Sequence, residues 1–386
     1  MRGALVLFEG LPPTVIDSQV LAHVRLAREA LGIDLAVVAV ACSPALYESS
    51  RNRIAGAREA SGGEVRLIRG VRPALPGSLF VNRRLLGAAL SALGPLAFIH
   101  ARADYAAAVC GPWGRDRGIP VLWDCRGDSR AELRERLGAS VASRYRSALL
   151  ERELRIAGAS PTGALFVTQQ LRDAMARYRR GQPSWIVPCL APEAGFFFDP
   201  ALRDRVRVEL GLASDEAVYV YSGSLVAYQR FDETVAHVRA MLASGQRARL
   251  IVLTPEIARA RQACSGLPSG SVICESVAHS LVNGYLNAAD FGMLLRDSTP
   301  VNHVAFPTKF AEYAMTGLSI VMKEAPPACV AAARELGNYL PLGAPGAASS
   351  AEERKRVAAL AALRLGRRAA MPAYAEIYRT VAAARP

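Results

Sequence analysis

The chain has 386 residues, 51% of them hydrophobic and 21% charged, so it is long enough for two domains with packed cores. No run of eighteen uncharged apolar residues occurs and the N-terminal apolar stretch is short, which argues against a membrane span and a signal peptide. The formal net charge of +13 lies mostly in residues 1–190, where 26 basic and 16 acidic side chains leave +10; residues 191–386 hold 21 and 18, which leaves +3.

The charge and the cysteines limit the functional classes. A basic N-terminal half indicates an anionic partner, such as nucleic acid, a lipid surface or a phosphorylated substrate, or else a generic arginine-rich surface. Lysine occurs only at Lys309, Lys323 and Lys355. The seven cysteines show no CxxC or Cys/His metal spacing, so they predict free thiols in a reducing cytoplasm and no bound metal.

The first half alternates strand-like and helix-like segments. Continuous apolar runs, typical of strands in a parallel sheet covered on both faces, occur at 4–8, 34–40, 64–68, 95–101, 120–125 and 163–168. Helical patterns occupy 20–31, 83–92, the stretch between the fourth and fifth strands, 130–156, and QQLRDAMARY after the last strand. This alternation predicts a doubly wound α/β domain.

A proline-rich stretch with an aromatic cluster, 183–200, is the predicted linker. A second series of strands follows at 217–223, 249–254, 271–277, 291–295 and 318–323. Its helices are predicted at 232–243, 255–263, 281–289, from 307, and at 351–363 and 371–384. The sequence therefore predicts domains at 1–190 and 191–368 and a terminal helix within 369–386, with ligands at the carboxyl ends of the strands.

The segment PTKFAEYAMTGLSIVM (307–322) holds the most informative polar residues. Pro307 and Thr308 are typical of a helix start, where proline loses no hydrogen bond and threonine can cap. Lys309 opposes the helix dipole there, so an anionic ligand explains it better than helix energetics. Glu312, one turn further on the same face, can accept hydrogen bonds from ribose hydroxyls. The alternative is an amphipathic helix with a Lys309–Glu312 surface pair.

This segment resembles the P-x-K-x-x-E-Y-x-A-x-G-x-P-V-V signature of family-4 glycosyltransferases, retaining enzymes of the GT-B fold. The resemblance implies an N-terminal acceptor domain and a C-terminal nucleotide-sugar domain, both Rossmann-like, that face each other across a cleft. It also implies a terminal helix that packs back on the N-terminal domain. Lys309 and Glu312 would then face the donor diphosphate and ribose, with Pro307 and Thr308 opening the donor-binding helix.

Other segments of the second half extend the resemblance. YSGSLVAYQRFDE (221–233) is similar to the family segment in which Gly223 and Ser224 would approach the diphosphate. The basic residue that many members carry further on falls at Gln229 or Arg230, and we favour Arg230 because a guanidinium can clamp two phosphate oxygens.

The stretch 271–295 is similar to the one whose strand end reads the base, which implies a base contact at Val277 and a structural role for Asp290. The first glutamate of the family pattern falls at Val304, which cannot hydrogen-bond a sugar. Recognition of the sugar must then come from elsewhere, for which Asn302 and His303 are candidates.

In the first half, FIHARADYA and WDCRGD end two predicted strands with His100, Arg102 and Arg126. Family members often carry H-x-H or H-x-R at the first position, and the second segment resembles a D-x-R-G-D/E variant. Arg102 and Arg126 would then neutralise phosphate charge or orient an acceptor hydroxyl. Alternatively, each is a structural arginine paired with a neighbouring aspartate, and His100 is a core residue. Gly10 matches the loop whose backbone approaches the donor diphosphate.

The resemblance implies a cytoplasmic, metal-independent hexosyltransferase of cell-surface polysaccharide biosynthesis (O-antigen, capsule or exopolysaccharide). It would use no cofactor besides a UDP- or GDP-sugar donor, retain the anomeric configuration, and act on a lipid-linked or glycan acceptor. The arginine-rich segments 51–58 and 81–90 would contact an anionic membrane surface. Two alternatives stay open: a nucleotide-sugar 2-epimerase, which needs more carboxylates than the sequence offers, and a nucleic-acid-binding protein, for which no motif is present.

Overall fold

The structure of the chain is a computed structural model that describes residues 1–13, 16–137, 141–344 and 346–384, apart from the side chains of residues 141 and 142. It divides into two compact units. Unit 1 comprises Met1–Pro188 and Ala370–Pro386, and unit 2 comprises Cys189–Ala369. The division of labour between an acceptor domain and a donor domain stays a prediction.

A parallel sheet of seven strands forms the centre of unit 1. The strands are β1 Arg2–Leu7, β2 Asp34–Ala41, β3 Val65–Arg69, β4 Phe98–Arg102, β5 Val121–Cys125, β6 Gly163–Phe166 and β7 Ser184–Ile186. Their order across the sheet is β3-β2-β1-β4-β5-β6-β7. The order reverses between β1 and β4, so the carboxyl ends of these two strands flank the position where open α/β sheets bind ligands.

The helices of unit 1 cover both faces of this sheet, which explains why its central strands are apolar throughout. They are α1 Ala22–Leu31, α2 Pro44–Arg51, α3 Ile54–Ser61, α4 Ser78–Ser91, α5 Asp104–Arg115, α6 Ser129–Leu137, α7 Val141–Ala159 and α8 Gln169–Ala174. The prediction of one helix over 130–156 was wrong in its extent, because α6 and α7 are separate helices; residues 138–140 lie outside the described residues. Helices α2 and α3 were not predicted.

Unit 2 is built on a parallel sheet of six strands. They are β8 Ala217–Ser222, β9 Ala248–Leu253, β10 Val272–Glu275, β11 Phe291–Leu294, β12 Ser319–Met322 and β13 Tyr339–Pro341. The order β10-β9-β8-β11-β12-β13 reverses between β8 and β11. The carboxyl ends of β8 and β11 therefore flank the corresponding ligand position of this unit.

The helices of unit 2 alternate with its strands. They are α9 Pro200–Glu209, α10 Phe231–Ala243, α11 Ile257–Ala263, α12 Val282–Ala288, α13 Pro300–Val304, α14 Thr308–Met315, α15 Pro327–Leu336 and α16 Ala351–Leu365. The predicted linker 183–200 is shorter than expected, because it contains β7 and ends at the first residue of α9. Neither β13 nor α15 was predicted.

The final helix, α17 Met371–Ala383, returns to unit 1 and packs against α1 and β4. The predicted fold class is thereby confirmed as two doubly wound Rossmann-like units with a terminal helix that packs on the first. In the part of the chain that the structure describes, no helix combines the length and apolarity needed to cross a membrane.

Candidate active site

The carboxyl end of β8 brings a glycine against the predicted phosphate-binding lysine. Gly223 follows β8 with a φ of +133°, a backbone conformation that other residues rarely adopt. A Cβ atom at this position would lie 3.2 Å from Nζ of Lys309 and 3.8 Å from Nε2 of Gln229. Glycine is therefore required here both by the backbone and by the close approach of the lysine.

Lys309 lies in the first turn of α14, as predicted, and its side chain turns toward β8. Its ammonium donates a hydrogen bond to Oε1 of Gln229 and lies 4.5 Å from the centre of the Tyr221 ring. Burial, reinforced by the Arg296 guanidinium, lowers the pKa of Lys309 to about 7 even though Glu312 raises it. A carboxylate or phosphate beside this ammonium would restore its charge.

Arg296, which the sequence analysis did not single out, lies just after β11. Its guanidinium stacks over the Tyr228 ring at 4.6 Å and donates from Nη1 to Oδ1 of Asn302 at 3.2 Å. The residue is only 6% exposed, and its Nε is buried without a partner among the described residues. Its position depends on β11 being the neighbour of β8, and strand order cannot be read from the sequence.

Two further cations of this sheet edge are already neutralised. Lys323 bonds to Glu233 at 2.8 Å and to Asp297 at 2.5 Å, and Arg230 bonds to the same two carboxylates at 2.5 and 3.4 Å. By contrast, within the described ranges neither Lys309 nor Arg296 forms an ion pair with a carboxylate. This edge therefore holds two cations whose charge is left for an anion.

The arrangement also bears on the choice between Gln229 and Arg230. Gln229 is 8% exposed and contacts Lys309 directly, whereas Arg230 is held by carboxylates and adopts a left-handed backbone conformation with φ +48°. Gln229 thus occupies the place next to the lysine. A role for Arg230 with the diphosphate stays a prediction.

Glu312 faces a histidine that the sequence analysis did not consider. Oε1 of Glu312 lies 3.5 Å from Nε2 of His279, and the His279 ring packs edge-on against Phe196 at 5.5 Å. Glu312 is 8% exposed, while the His279 side chain is 39% exposed. Val277, the predicted base contact, lies half-buried in the loop between β10 and this histidine. The glutamate is therefore largely buried and faces an exposed histidine.

The start of α14 differs from the prediction by one residue. Pro307 occupies the N-cap position and Thr308 is the first helical residue, so the proline precedes the first turn and the threonine does not cap. Ser224, the other predicted donor contact, accepts hydrogen bonds from Tyr221 at its carbonyl (2.5 Å) and from Gln229 at its hydroxyl (3.4 Å).

The two candidates for sugar recognition near Val304 differ in exposure. Asn302 is fully buried; besides accepting from Arg296, its amide donates to the carbonyl of Asp297 at 3.0 Å. These two bonds and its burial favour a role of Asn302 in holding its own loop, and recognition of the sugar by Asn302 stays a prediction. His303 is exposed at the end of α13, and Val304 is buried.

Asp290 has the predicted structural role. It lies 2.6 Å from Arg203 and 3.5 Å from Arg207, and it accepts a hydrogen bond from the backbone of Val218 at 2.8 Å. These contacts connect α9 to the start of β8 and β11 at the amino ends of the strands.

In unit 1, both predicted arginines lie at the carboxyl ends of β4 and β5 and share one aspartate. Nη1 of Arg102 lies 3.9 Å from Asp124, and Nη1 of Arg126 lies 3.4 Å from it. Burial alone would raise the pKa of Asp124, but Arg126, His100 and Arg102 together lower it well below its usual range. Arg102 also faces Glu9 after β1 at 3.5 Å. Both arginines are therefore paired with a neighbouring aspartate, as the alternative structural interpretation predicted. Arg102 lies at the end of β4, which flanks the switch point of this sheet.

A chain of polar contacts connects this aspartate to α17. Nε2 of His100 lies 3.2 Å from Asp124, and Nδ1 of His100 is hydrogen-bonded at 2.9 Å to the Tyr378 hydroxyl, which is 2.6 Å from Nε2 of His23. His100 is therefore a buried residue that links Asp124 to Tyr378 of α17.

The backbone beside Arg102 is strained. Ala103 has a φ of +69°, an uncommon value for a residue with a Cβ atom, and Asp104 then starts α5 with its carboxylate bonded to Trp123 at 3.0 Å and to Ser129 at 2.5 Å. Strain of this kind concentrates at functional positions. It supports a role for the Arg102 region beyond packing.

Gly10 has a packing reason of its own. Its φ is +64°, and a Cβ atom there would lie 2.7 Å from Oγ of Ser50 and 2.9 Å from Leu46 on α2. The glycine is buried under that helix, so packing alone accounts for it. Its approach to a donor diphosphate stays a prediction.

No cluster of three or more metal-ligating side chains occurs among the described residues. The predicted absence of a metal stays an expectation.

Known structures share this fold. A comparison with models of protein families finds no match, and a search of curated proteins finds no similar sequence. HepE from Anabaena, solved in complex with UDP-glucose, aligns with a TM-score of 0.68 at 14% identity over 98% of this chain and 100% of that chain. Sucrose-phosphate synthase from Thermosynechococcus elongatus gives 0.68 at 13% identity over 98% of each chain. A UDP-N-acetylglucosamine 2-epimerase homologue from Listeria monocytogenes gives 0.54 at 11% identity over 100% of this chain and 91% of that chain.

These similarities establish the two-Rossmann GT-B fold for this chain. The identities are too low to transfer an activity, which has to be argued from the residues themselves.

Proposed function

We propose that the protein is a glycosyltransferase that transfers a hexose from a nucleotide-diphosphate sugar to a lipid-linked or glycan acceptor, with retention of configuration. The observation that supports this most directly is the pair of cations Lys309, which lies against Gly223, and Arg296. Neither forms an ion pair with a carboxylate in the part of the chain that the structure describes. A diphosphate is the anion that fits two cations and a glycine turn at the end of a strand.

The neighbouring groups suit the remainder of a nucleotide. Glu312, one turn after Lys309, can accept from the two ribose hydroxyls once it leaves His279. The loop that contains Val277 is the continuation of β10 and offers backbone groups to a base. Crystal structures of HepE contain UDP and UDP-glucose, which supports a uridine nucleotide as the first candidate; a GDP-sugar is the second.

The chemistry we propose is stabilisation of the leaving diphosphate. Lys309 and Arg296 would hold the negative charge that develops on the phosphate oxygen as the bond to the anomeric carbon breaks. In this proposal they supply the positive charge directly, so the reaction is metal-independent. The acceptor hydroxyl would attack from the same face as the departing phosphate and pass its proton to it, which retains the configuration.

Arg102 and Arg126 are proposed to act in unit 1 on the acceptor. Because Asp124 takes up much of their charge, they are better suited to orient an acceptor hydroxyl or a single phosphate than to bind a second diphosphate. The membership in family 4 and the place in cell-surface polysaccharide synthesis rest on the resemblance of the 307–322 segment and are part of the same proposal.

The test is a transfer assay across UDP-, GDP-, dTDP- and ADP-sugars, with a lipid-linked acceptor and the product anomer read by NMR. In a separate thermal-shift measurement, we expect one of these donors to raise the melting temperature of the protein. In the transfer assay, the same donor should give a product with the donor's anomeric configuration. An inverted product would contradict the retaining mechanism. Release of free nucleotide and an epimerised sugar without an acceptor would instead identify a 2-epimerase.

We further propose that unit 1 contacts an anionic membrane surface, at the cytoplasmic face, through α4 and the loop before it. Residues 65–103 contain six arginines and no aspartate or glutamate. Arg66 and Arg69 are paired with glutamates and Arg102 is buried. The other three, which form no ion pair among the described residues, are Arg72, Arg83 and Arg84. The same region exposes four large apolar side chains at Leu75, Phe80, Val81 and Leu85. Cationic and apolar side chains together are typical of surfaces that bind the membrane interface.

Of the two basic segments named from the sequence, 51–58 is less suited to this role. Arg51 lies 3.5 Å from Glu48, Arg53 bonds to Asp17 at 2.7 Å, and Arg58 donates to the carbonyl of Val65 at 3.4 Å. These arginines are already bonded within the unit. The membrane proposal therefore rests on α4 and its preceding loop.

A further inference from the structure

Two of the seven cysteines lie together at the edge of unit 2. Cys264 follows the last residue of α11, and Cys274 lies in β10, the edge strand of the sheet. Cys264 belongs to the hydrophobic core cluster of this unit, and Cys274 packs against the same cluster. Both line a cavity of about 240 Å³, which also contains Arg261.

The two sulfur atoms are in different environments. Cys264 is 6% exposed, while Cys274 is half-buried. The neighbouring Cys264 thiol, together with the charge of Arg261, lowers the pKa of the Cys274 thiol despite its burial, and the same proximity raises the pKa of Cys264. Cys274 is thus the more accessible and more acidic thiol, with a second thiol beside it.

The other five cysteines are free thiols as well. Cys189 and Cys329 also interact with each other, but burial raises the pKa of Cys329 well above its usual range. Cys42 is a useful contrast, because it is half-buried like Cys274 while burial raises its pKa to about 11. Exposure alone therefore does not make a thiol of this chain reactive.

We propose that Cys264 and Cys274 are a redox-active pair that a small-molecule disulfide, such as oxidised glutathione, converts to an intramolecular disulfide. An attacking thiolate with an adjacent resolving thiol in an accessible cavity is the arrangement that such chemistry requires. The modification would join α11 to β10, the strand that leads into the loop of Val277 and His279.

The reaction has two steps. The Cys274 thiolate attacks one sulfur of oxidised glutathione, forms a mixed disulfide and releases a glutathione thiolate. Cys264 then loses its proton to water and attacks the Cys274 sulfur, which releases the second glutathione thiolate. The two cysteines together lose two protons and two electrons, and one molecule of the disulfide is reduced to two thiols.

The test exposes the full chain to oxidised glutathione and follows it by intact mass and peptide mapping. We expect the wild type to lose two hydrogen atoms, with Cys264 and Cys274 joined in one peptide pair, and to recover its mass after reduction. Cys264→Ser should stop at a glutathione adduct on Cys274, and Cys274→Ser should form neither product at this site. Cys42→Ser, the matched control, should behave as the wild type.

Two outcomes would overturn the proposal. One is a wild type that keeps both thiols under conditions that oxidise a reference dithiol. The other is a stable glutathione adduct on wild-type Cys274 with Cys264 still reduced, since a resolving thiol in contact would have displaced it. Because the readout is a mass, the result does not depend on the proposed transferase activity.

Discussion

Lys309 sits in an unusual electrostatic position for a helical residue. It opposes the dipole of α14, lies against the Tyr221 ring and shares its surroundings with Arg296, while its hydrogen-bond acceptor Gln229 carries no charge. A cation placed in this way lowers the stability of the free protein rather than raising it. Such a placement is explained by a ligand that supplies the missing negative charge.

Donor binding should therefore depend on pH. With a pKa of about 7 in the free protein, Lys309 is increasingly neutral above pH 7, and a bound diphosphate raises this pKa, so binding takes up a proton. We expect the affinity for UDP-glucose to fall by up to about tenfold per pH unit between about pH 7 and pH 8.5. UDP-glucose is the suitable ligand because its diphosphate diester does not titrate in this range.

Calorimetric titration of the wild type and of Lys309→Arg measures this effect. The arginine variant keeps its charge throughout the range, so its affinity should vary much less with pH, whatever its absolute value. Equal pH dependence in the two proteins would show that a group other than Lys309 controls the titration and would contradict the prediction.

Helix α4 is the element on which the membrane proposal depends. Its Phe80 side chain is 63% exposed, and the exposed Arg84 lies one turn further on. Each basic side chain near an anionic surface contributes about 1 kcal/mol, so reversing one charge should weaken partitioning by roughly tenfold or more.

Co-sedimentation with vesicles of phosphatidylcholine, with and without phosphatidylglycerol, tests this prediction. Arg84→Glu should reduce binding to the anionic vesicles relative to the wild type. At high salt, which screens the charges, Phe80→Ser should reduce binding more than Arg84→Glu does. Arg115→Glu makes the same charge change at an exposed position of unit 1 and should bind as the wild type. If the three variants bind alike, α4 is not the contact surface.

At the scale of the whole molecule, the fold was predictable because parallel sheets are buried on both faces. Their strands are continuous apolar runs, and strands such as β2 and β5 were predicted to within one residue of their observed bounds. The edge strand β13 was missed because three residues give little periodicity. The short helices α2 and α15 were missed as well.

The candidate site was predictable only in part. Local motifs pointed to Gly223, Lys309 and Glu312, because each belongs to a recognisable turn or helix start. Arg296 lies near Lys309 because β11 is the neighbour of β8, and His279 lies near Glu312 because of the path of the loop after β10. Neither the strand order nor the loop path can be predicted from the sequence. Arg230 was favoured because of its position in the motif. In the structure its guanidinium is paired with Glu233 and Asp297, which the motif did not predict.

Whether Lys309 binds the donor diphosphate can be measured by a titration of UDP-glucose at about pH 6.5, where the lysine is charged. We expect Lys309→Met to bind roughly 10- to 100-fold more weakly than the wild type, since charge-assisted hydrogen bonds contribute about 1.5–3 kcal/mol. Arg247→Met, a change at an exposed arginine paired with Asp215 in the same unit, should leave the affinity within about twofold, as expected for an exposed ion pair. If UDP-glucose and the other donors bind Lys309→Met as tightly as the wild type, the lysine does not bind the diphosphate and the account is wrong.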